Sequence, residues 1–172
     1  MAIDQRDEIW NAAFDTYYEA YYEEFCADNL INRWQKLDEI TKVLVALTAS
    51  GSAVSGWALW KETQYRPLWP ALAGVAAVLA IVNASLHVSE RIKDSSEMKR
   101  LFTSLRIDLE TFRYRMRLDP NFSIADFTKE FSAFRDRYSS NMQHLKNDFA
   151  RTKGMQEKSQ SQVDKILEPE IE

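Results

Sequence analysis

Residues 43–60 read VLVALTASGSAVSGWALW, and residues 68–89 read LWPALAGVAAVLAIVNASLHVS. The first stretch has no ionisable side chain, and the second has only His87. As helices they are roughly 27 and 33 Å long, about the thickness of the hydrocarbon core of a bilayer. KETQYR, residues 61–66, suffices only for a tight turn between antiparallel helices. The whole therefore reads as a two-helix transmembrane hairpin over 42–89, with spans at 43–60 and 68–88. The alternative is a helical pair buried in a soluble bundle, which Thr48, Ser50, Ser52 and Ser55 keep open. Two adjacent apolar runs of spanning length favour the membrane.

The rest of the composition agrees with a helical chain. Only four glycines and four prolines occur in 172 residues, which disfavours a β-rich fold. The net charge of −4 is unevenly spread: residues 1–39 hold ten acids against Arg6, Arg33 and Lys36, whereas residues 91–117 hold eight bases against four acids. Such asymmetry suggests two surfaces with different partners, or one surface that meets anionic lipid. Cys26 stands alone, so neither a disulfide framework nor a thiol metal site is expected, and no cofactor is implied. MAIDQRDEIW lacks the basic and apolar regions of a cleavable signal, leaving insertion to the spans themselves.

Lysine and arginine set the orientation. Arg33, Lys36 and Lys42 precede the hairpin and Arg91, Lys93, Lys99, Arg100 and Arg106 follow it, while the turn offers Lys61 and Arg66. Both termini are thus expected in the cytoplasm. Trp57, Trp60, Tyr65 and Trp69 suit the opposite interface.

Residues 1–41 form a long amphipathic cytosolic helix in this reading. Trp10, Phe14, Tyr17, Tyr18, Tyr21, Tyr22, Phe25, Leu30, Trp34 and Leu37 recur at three- and four-residue steps. Packing on other helices or another subunit accounts for these aromatics. A base-stacking platform is disfavoured because Glu19, Glu23 and Glu24 repel phosphate, and no duplex nucleic-acid binding is expected.

Within the hairpin, Ala49, Ser52, Ala53 and Gly56 form a small-residue stripe, and Ala76, Ala80 and Ala84 form another. Both permit close helix packing in lipid. Thr48, Ser52 and Ser55 give one face a row of hydroxyls, and Asn83 and His87 share a face toward the cytoplasmic end. These five are the pore-lining candidates; the plainer reading is hydroxyls bonded to backbone and a solvated histidine. A single hairpin cannot enclose a pore, so the channel reading requires a homo-oligomer.

The second span is expected to run unbroken into a helix ending near Leu118, where Asp119-Pro120-Asn121 stops it. Ile92, Leu101, Phe102, Leu105, Leu109, Phe112 and Met116 form its apolar side. A new helix starts with Ser123 as N-cap and Asp126 three residues on, followed by the stripe Phe127, Phe131, Phe134, Tyr138, Met142, Leu145 and Phe149. Residues 90–153 then complete a cytosolic helical bundle, and 154–172 read as a polar tail, flexible or a peripheral helix, with only Val163, Ile166 and Leu167 able to dock. Arg113, Arg115, Arg117, Arg135 and Arg137 are the ligand-binding candidates. Topology and lipid contacts, ion pairs with the acidic N-terminal helix, and an anion pocket for a nucleotide all compete for them. The two histidines are far apart, and no phosphate loop, metal-ligand spacing or nucleophile motif occurs, so an enzyme is not expected.

A long helix passing through Tyr21-Tyr22, Leu30 and Arg33-Trp34 into a small-residue span, a short turn, a second span and long cytosolic helices resembles the SLATT family of bacterial two-span effectors. The resemblance covers roughly residues 7–118 and rests on architecture. It implies an oligomer in the bacterial inner membrane with pore-forming or membrane-disrupting activity. It also implies control by a nucleotide or oligonucleotide signal from a nucleotidyltransferase partner, and arrest or death of phage-infected cells.

Overall fold

The computed structural model describes residues 4–54, 68–119, 121, 123–143 and 148–171, without the side chains of 48–54, 68, 69, 72, 73 and 169–171. These form five helices: α1 (Gln5–Val54), α2 (Leu68–Ser85), α3 (Val88–Leu118), α4 (Ile124–Gln143) and α5 (Lys153–Ile171). The protein is all-α, with no strand among the described residues. The chain divides into two compact units, one of residues 1–30 with 94–172 and the other of residues 31–93.

The first unit is built on a seam between α1 and α3. On α3, Met98, Phe102, Leu105, Leu109, Phe112 and Met116 alternate four- and three-residue steps, and all are buried. That spacing keeps one stripe facing one partner over five turns. On α1 the buried positions include Ala13, Ala20 and Ala27, seven residues apart, with Tyr17 between them. Alanines at this repeat let two helices approach closely. The aromatics that the sequence places on the apolar face mostly flank the seam: Phe14, Tyr18, Tyr21, Tyr22 and Phe25 are partly buried beside the cluster. Phe112 is the hub at one end, meeting Phe127 and Phe134 edge-on at 5.6 and 5.4 Å and stacking with Phe131 at 6.5 Å.

Ser123 caps α4 as its sequence indicates: the Asp126 amide donates to the Ser123 hydroxyl oxygen at 3.2 Å, and that hydroxyl pairs with the Asp126 carboxylate. The final segment takes the helical of its two expected forms, and it docks over more positions than Val163 and Leu167. Residues 153–171 form α5, and Met155, Ser159, Val163 and Leu167, four residues apart, are buried. Ile166 stays exposed. Val163 and Leu167 join the α1–α3 cluster, and polar bonds from Asn29 to Ser159 at 3.0 Å and to Gln162 at 3.1 Å fix the helix on α1. A polar sequence docks here because its partners on α1 are polar too.

In the second unit, Trp34, Thr41, Ala76 and Val88 are buried. The second span does not run unbroken into α3. Leu86 and His87 interrupt it, and α2 and α3 are bent 47° at the break. His87 has φ 51°, a left-handed conformation that costs an L-residue roughly 1–2 kcal/mol. It ends one helix and begins the next: its amide donates to the Ala84 carbonyl at 3.2 Å, and its own carbonyl accepts from Glu90 and Arg91 at 2.9 and 3.0 Å. The Arg91 Nε donates to the orphaned Leu86 carbonyl at 3.0 Å, with the guanidinium 5.3 Å from the Trp34 ring. Among the described residues no single helix is long and apolar enough to cross a membrane, but 74–85 with α3 passes as a bent pair by length and composition.

Two substitutions test this account by thermal or denaturant melting. His87→Val should lower stability by about 1–2 kcal/mol, because a β-branched residue resists φ > 0, whereas His87→Gly should leave it unchanged or raise it. Ala20→Leu should cost about 1–3 kcal/mol by forcing the α1–α3 seam apart.

Candidate functional site

Within the second unit, α1 and α2 lie side by side, and an open groove of about 610 Å³ runs between them. Its walls are Val45, Ala46, Ala80 and Ala84, and its foot is Thr41, Lys42, Asn83, His87, Val88, Ser89 and Glu90. The helices are antiparallel, so polarity changes at one level on both: α1 becomes apolar as its numbers rise, α2 as its numbers fall.

The foot is held by a bonded triad. Lys42 Nζ lies 2.6 Å from the Asp38 carboxylate, one turn away on α1, and Asn83 Nδ2 donates to the same carboxylate at 3.4 Å across the groove. The Lys42 bond, helped by the amide of Asn83 and opposed by partial burial, holds the Asp38 carboxyl below the usual carboxylate range. Thr41 donates to the Leu37 carbonyl at 2.8 Å, satisfying its hydroxyl locally. Asn83 Oδ1 is enclosed and finds no donor among the described residues. Unpaired, such an atom costs about 1–3 kcal/mol, so water or a ligand donor is favoured there.

The groove unites two of the five pore-lining candidates, Asn83 and His87. The side chains of Thr48 and Ser52, and the whole of Ser55, lie outside the described residues, as do the side chains of Ala49 and Ala53 and the whole of Gly56. The alanine row on α2 behaves unevenly: Ala76 is buried, while Ala80 and Ala84 line the groove instead of closing it. Nothing in the sequence marks that opening.

The five arginines are separated in their partners. Arg113 lies over Trp10, Phe14 and Tyr17 at 4.6, 4.7 and 5.3 Å, and Arg117 shares the Trp10 ring at 5.4 Å. Arg115 pairs with Glu130. Arg135 reaches the Thr16 hydroxyl at 3.3 Å and Glu19 at 3.9 Å, and Arg137 pairs with Asp108 and donates to Ser104 at 2.7 Å. Only Arg113 and Arg117 meet on one group, an indole, and each of the other three is tied to a different acid.

Three further ion pairs reach acids of α1 from bases outside those five candidates, and two of them, those of Arg106 and Arg151, are more enclosed. Arg106 meets Glu24 at 2.6 Å, Arg151 meets Glu23 at 2.7 Å, and Lys99 meets Asp28 at 2.6 Å. Burial opposes the Arg106 charge, yet the Glu24 bond and its charge outweigh it and keep the guanidinium pKa above its ordinary value. The acidic surplus of α1 and the basic surplus of α3 thus face each other inside the first unit. The only available signal was that uneven spread of charge.

Compared with known protein families, curated proteins and solved structures, the chain finds no match.

The Asp38 triad carries a pH test. Because its pKa is lowered in the folded chain, the Asp38 bond contributes fully above the ordinary carboxylate pKa and is lost as pH falls through the lowered value. Protection of the amides along the α1–α2 groove, taken relative to their intrinsic exchange rate at each pH, should therefore fall on acidification of the native chain. Asp38→Asn should remove that acid-dependent step; an identical acid response in the variant would count against the triad.

Proposed function

We propose that this chain is an oligomeric two-span membrane effector of bacterial anti-phage defence. It sits in the inner membrane with both termini cytoplasmic, and forms a channel-like or membrane-disrupting assembly controlled by a nucleotide signal. The observation that carries the membrane reading is the surface of the second unit. Ile40, Val43, Val45 and Leu47 on α1, with Val75, Val78, Ile81 and Val82 on α2, are all 38–66% exposed. A dense belt of exposed aliphatic side chains is unfavourable in water and calls for lipid or protein around it.

The defence role and its nucleotide control rest on the SLATT resemblance. In this reading the spans carry the activity by conduction and no reaction is catalysed. The first unit is the cytosolic part on which the signal acts, with the five arginines as candidate contacts. An incoming phosphate competes there with the carboxylates and rings that already hold them.

A second reading, a non-enzymatic membrane scaffold recruiting a soluble partner through its cytosolic helices, is favoured by one feature. Ile107, Tyr114 and Leu118 recur on one face of α3 at seven- and four-residue steps, and all are exposed.

Membrane potential measured in living bacteria on induced expression separates the two. The native chain should depolarise cells, alone or during phage infection with the nucleotidyltransferase partner present. Ser52→Leu and Asn83→Leu should abolish the effect at equal membrane content and unchanged oligomerisation. Steady potential under both conditions would sink the conducting assembly and leave the scaffold.

A further inference from the structure

We propose that the α1–α2 groove binds one zwitterionic phospholipid, with an acyl chain along its apolar walls and the headgroup at its foot. This deepens the membrane reading above and rests on it. Three observations carry it. The volume, about 610 Å³, falls in the range of roughly 300–1,000 Å³ typical of small-molecule sites. The groove is amphipathic along its length: Val45, Ala46 and Ala80 stand at one end, while Lys42, Ser89 and Glu90 stand at the other. A lipid makes the same change of polarity along its own length, whereas an apolar helix from a second copy would leave the foot facing hydrocarbon.

The third observation is the charge at the foot, which is mixed. The lining of the foot offers Lys42 and Glu90, with the hydroxyl of Ser89 beside them, and the Asp38 carboxylate stands behind Lys42. The Lys42 side chain is 73% exposed, and an ammonium has three donors, of which the Asp38 contact uses one. Lys42 and Ser89 therefore suit a headgroup phosphate, and Glu90 suits a headgroup ammonium. Small residues make the acyl path: larger side chains at Ala80 and Ala84 would fill it. A purely anionic headgroup leaves Glu90 unpaired and fits less well.

The test uses the full chain extracted from membranes in mild detergent and equilibrated with an equimolar mixture of phosphatidylethanolamine and phosphatidylglycerol. Bound lipid is counted by native mass spectrometry. The native chain should retain one phosphatidylethanolamine per chain, at least threefold over phosphatidylglycerol. Ala84→Trp, which fills the groove, should lower retention at least fivefold. Glu90→Gln, on an exposed first turn, should keep lipid binding but erase the preference, and it serves where the tryptophan variant fails to fold. Equal retention of the two lipids by the native chain, or retention unaltered by Ala84→Trp, overturns the lipid site. Loss of oligomer in Ala84→Trp with no lipid on the native chain assigns the groove to a second copy instead. Release from membranes by carbonate without detergent overturns the membrane reading itself, a result distinct from membrane-bound protein that holds no lipid.

Discussion

Close packing between α1 and α3 is the constraint from which the rest of the first unit follows. Ala20 and Ala27 on one side, and Leu105 and Leu109 on the other, belong to one buried cluster, which α5 completes with Val163 and Leu167. Small side chains at a seven-residue repeat leave little room for error in register. The ion pairs from Glu24 to Arg106 and from Asp28 to Lys99 tie the same two helices from outside the seam. Hydrophobic contact supplies most of the driving force, and the charges favour one alignment over others displaced by a turn. An aromatic cluster round Phe112 finishes one end, where α4 returns over α3.

Much of this was legible in the sequence. The stop at Leu118 and the Ser123 cap could be read because proline and the serine–aspartate pair act within a few residues. The α3 stripe could be read because its period is sustained over five turns. The details that escaped depend on distant residues. Alanine is a poor marker of a core, so the Ala13–Ala20–Ala27 row was hidden behind the louder aromatics beside it. Helix α5 has few apolar residues, and its docking depends on Asn29 and Tyr18, more than a hundred positions earlier.

The site was only half legible. Asn83 and His87 stood out because polar residues in an apolar run are costly unless partnered. The Asn83 partner did not, since Asp38, itself held by Lys42, lies in a segment that reads as ordinary helix surface. The break at His87 was also missed. Few residues other than glycine take a left-handed conformation, so His87 gives no strong signal of one, and the capping beside it comes from Arg91, which reads as a topology charge. Arg91 illustrates how one side chain fills roles that sequence reasoning treats separately: it satisfies a carbonyl, covers an indole and supplies positive charge next to an apolar helix.

The contrast between α1 and the α2–α3 junction has a consequence for how this chain can change over generations. Buried positions along α1 keep heptad spacing from Ala13 through Ala20, Ala27 and Trp34 to Thr41. One inserted residue within that helix would turn everything after it by about 100° and swing one set of buried side chains away from its neighbours. The His87 junction has no such phase relationship, because its left-handed turn resets the helix. Length variation at that joint costs the local Arg91 bond and reshapes the groove foot, whereas in α1 it is ruinous. Natural variants of this architecture should differ in loop content near the joint while holding the spacing of the long helix fixed.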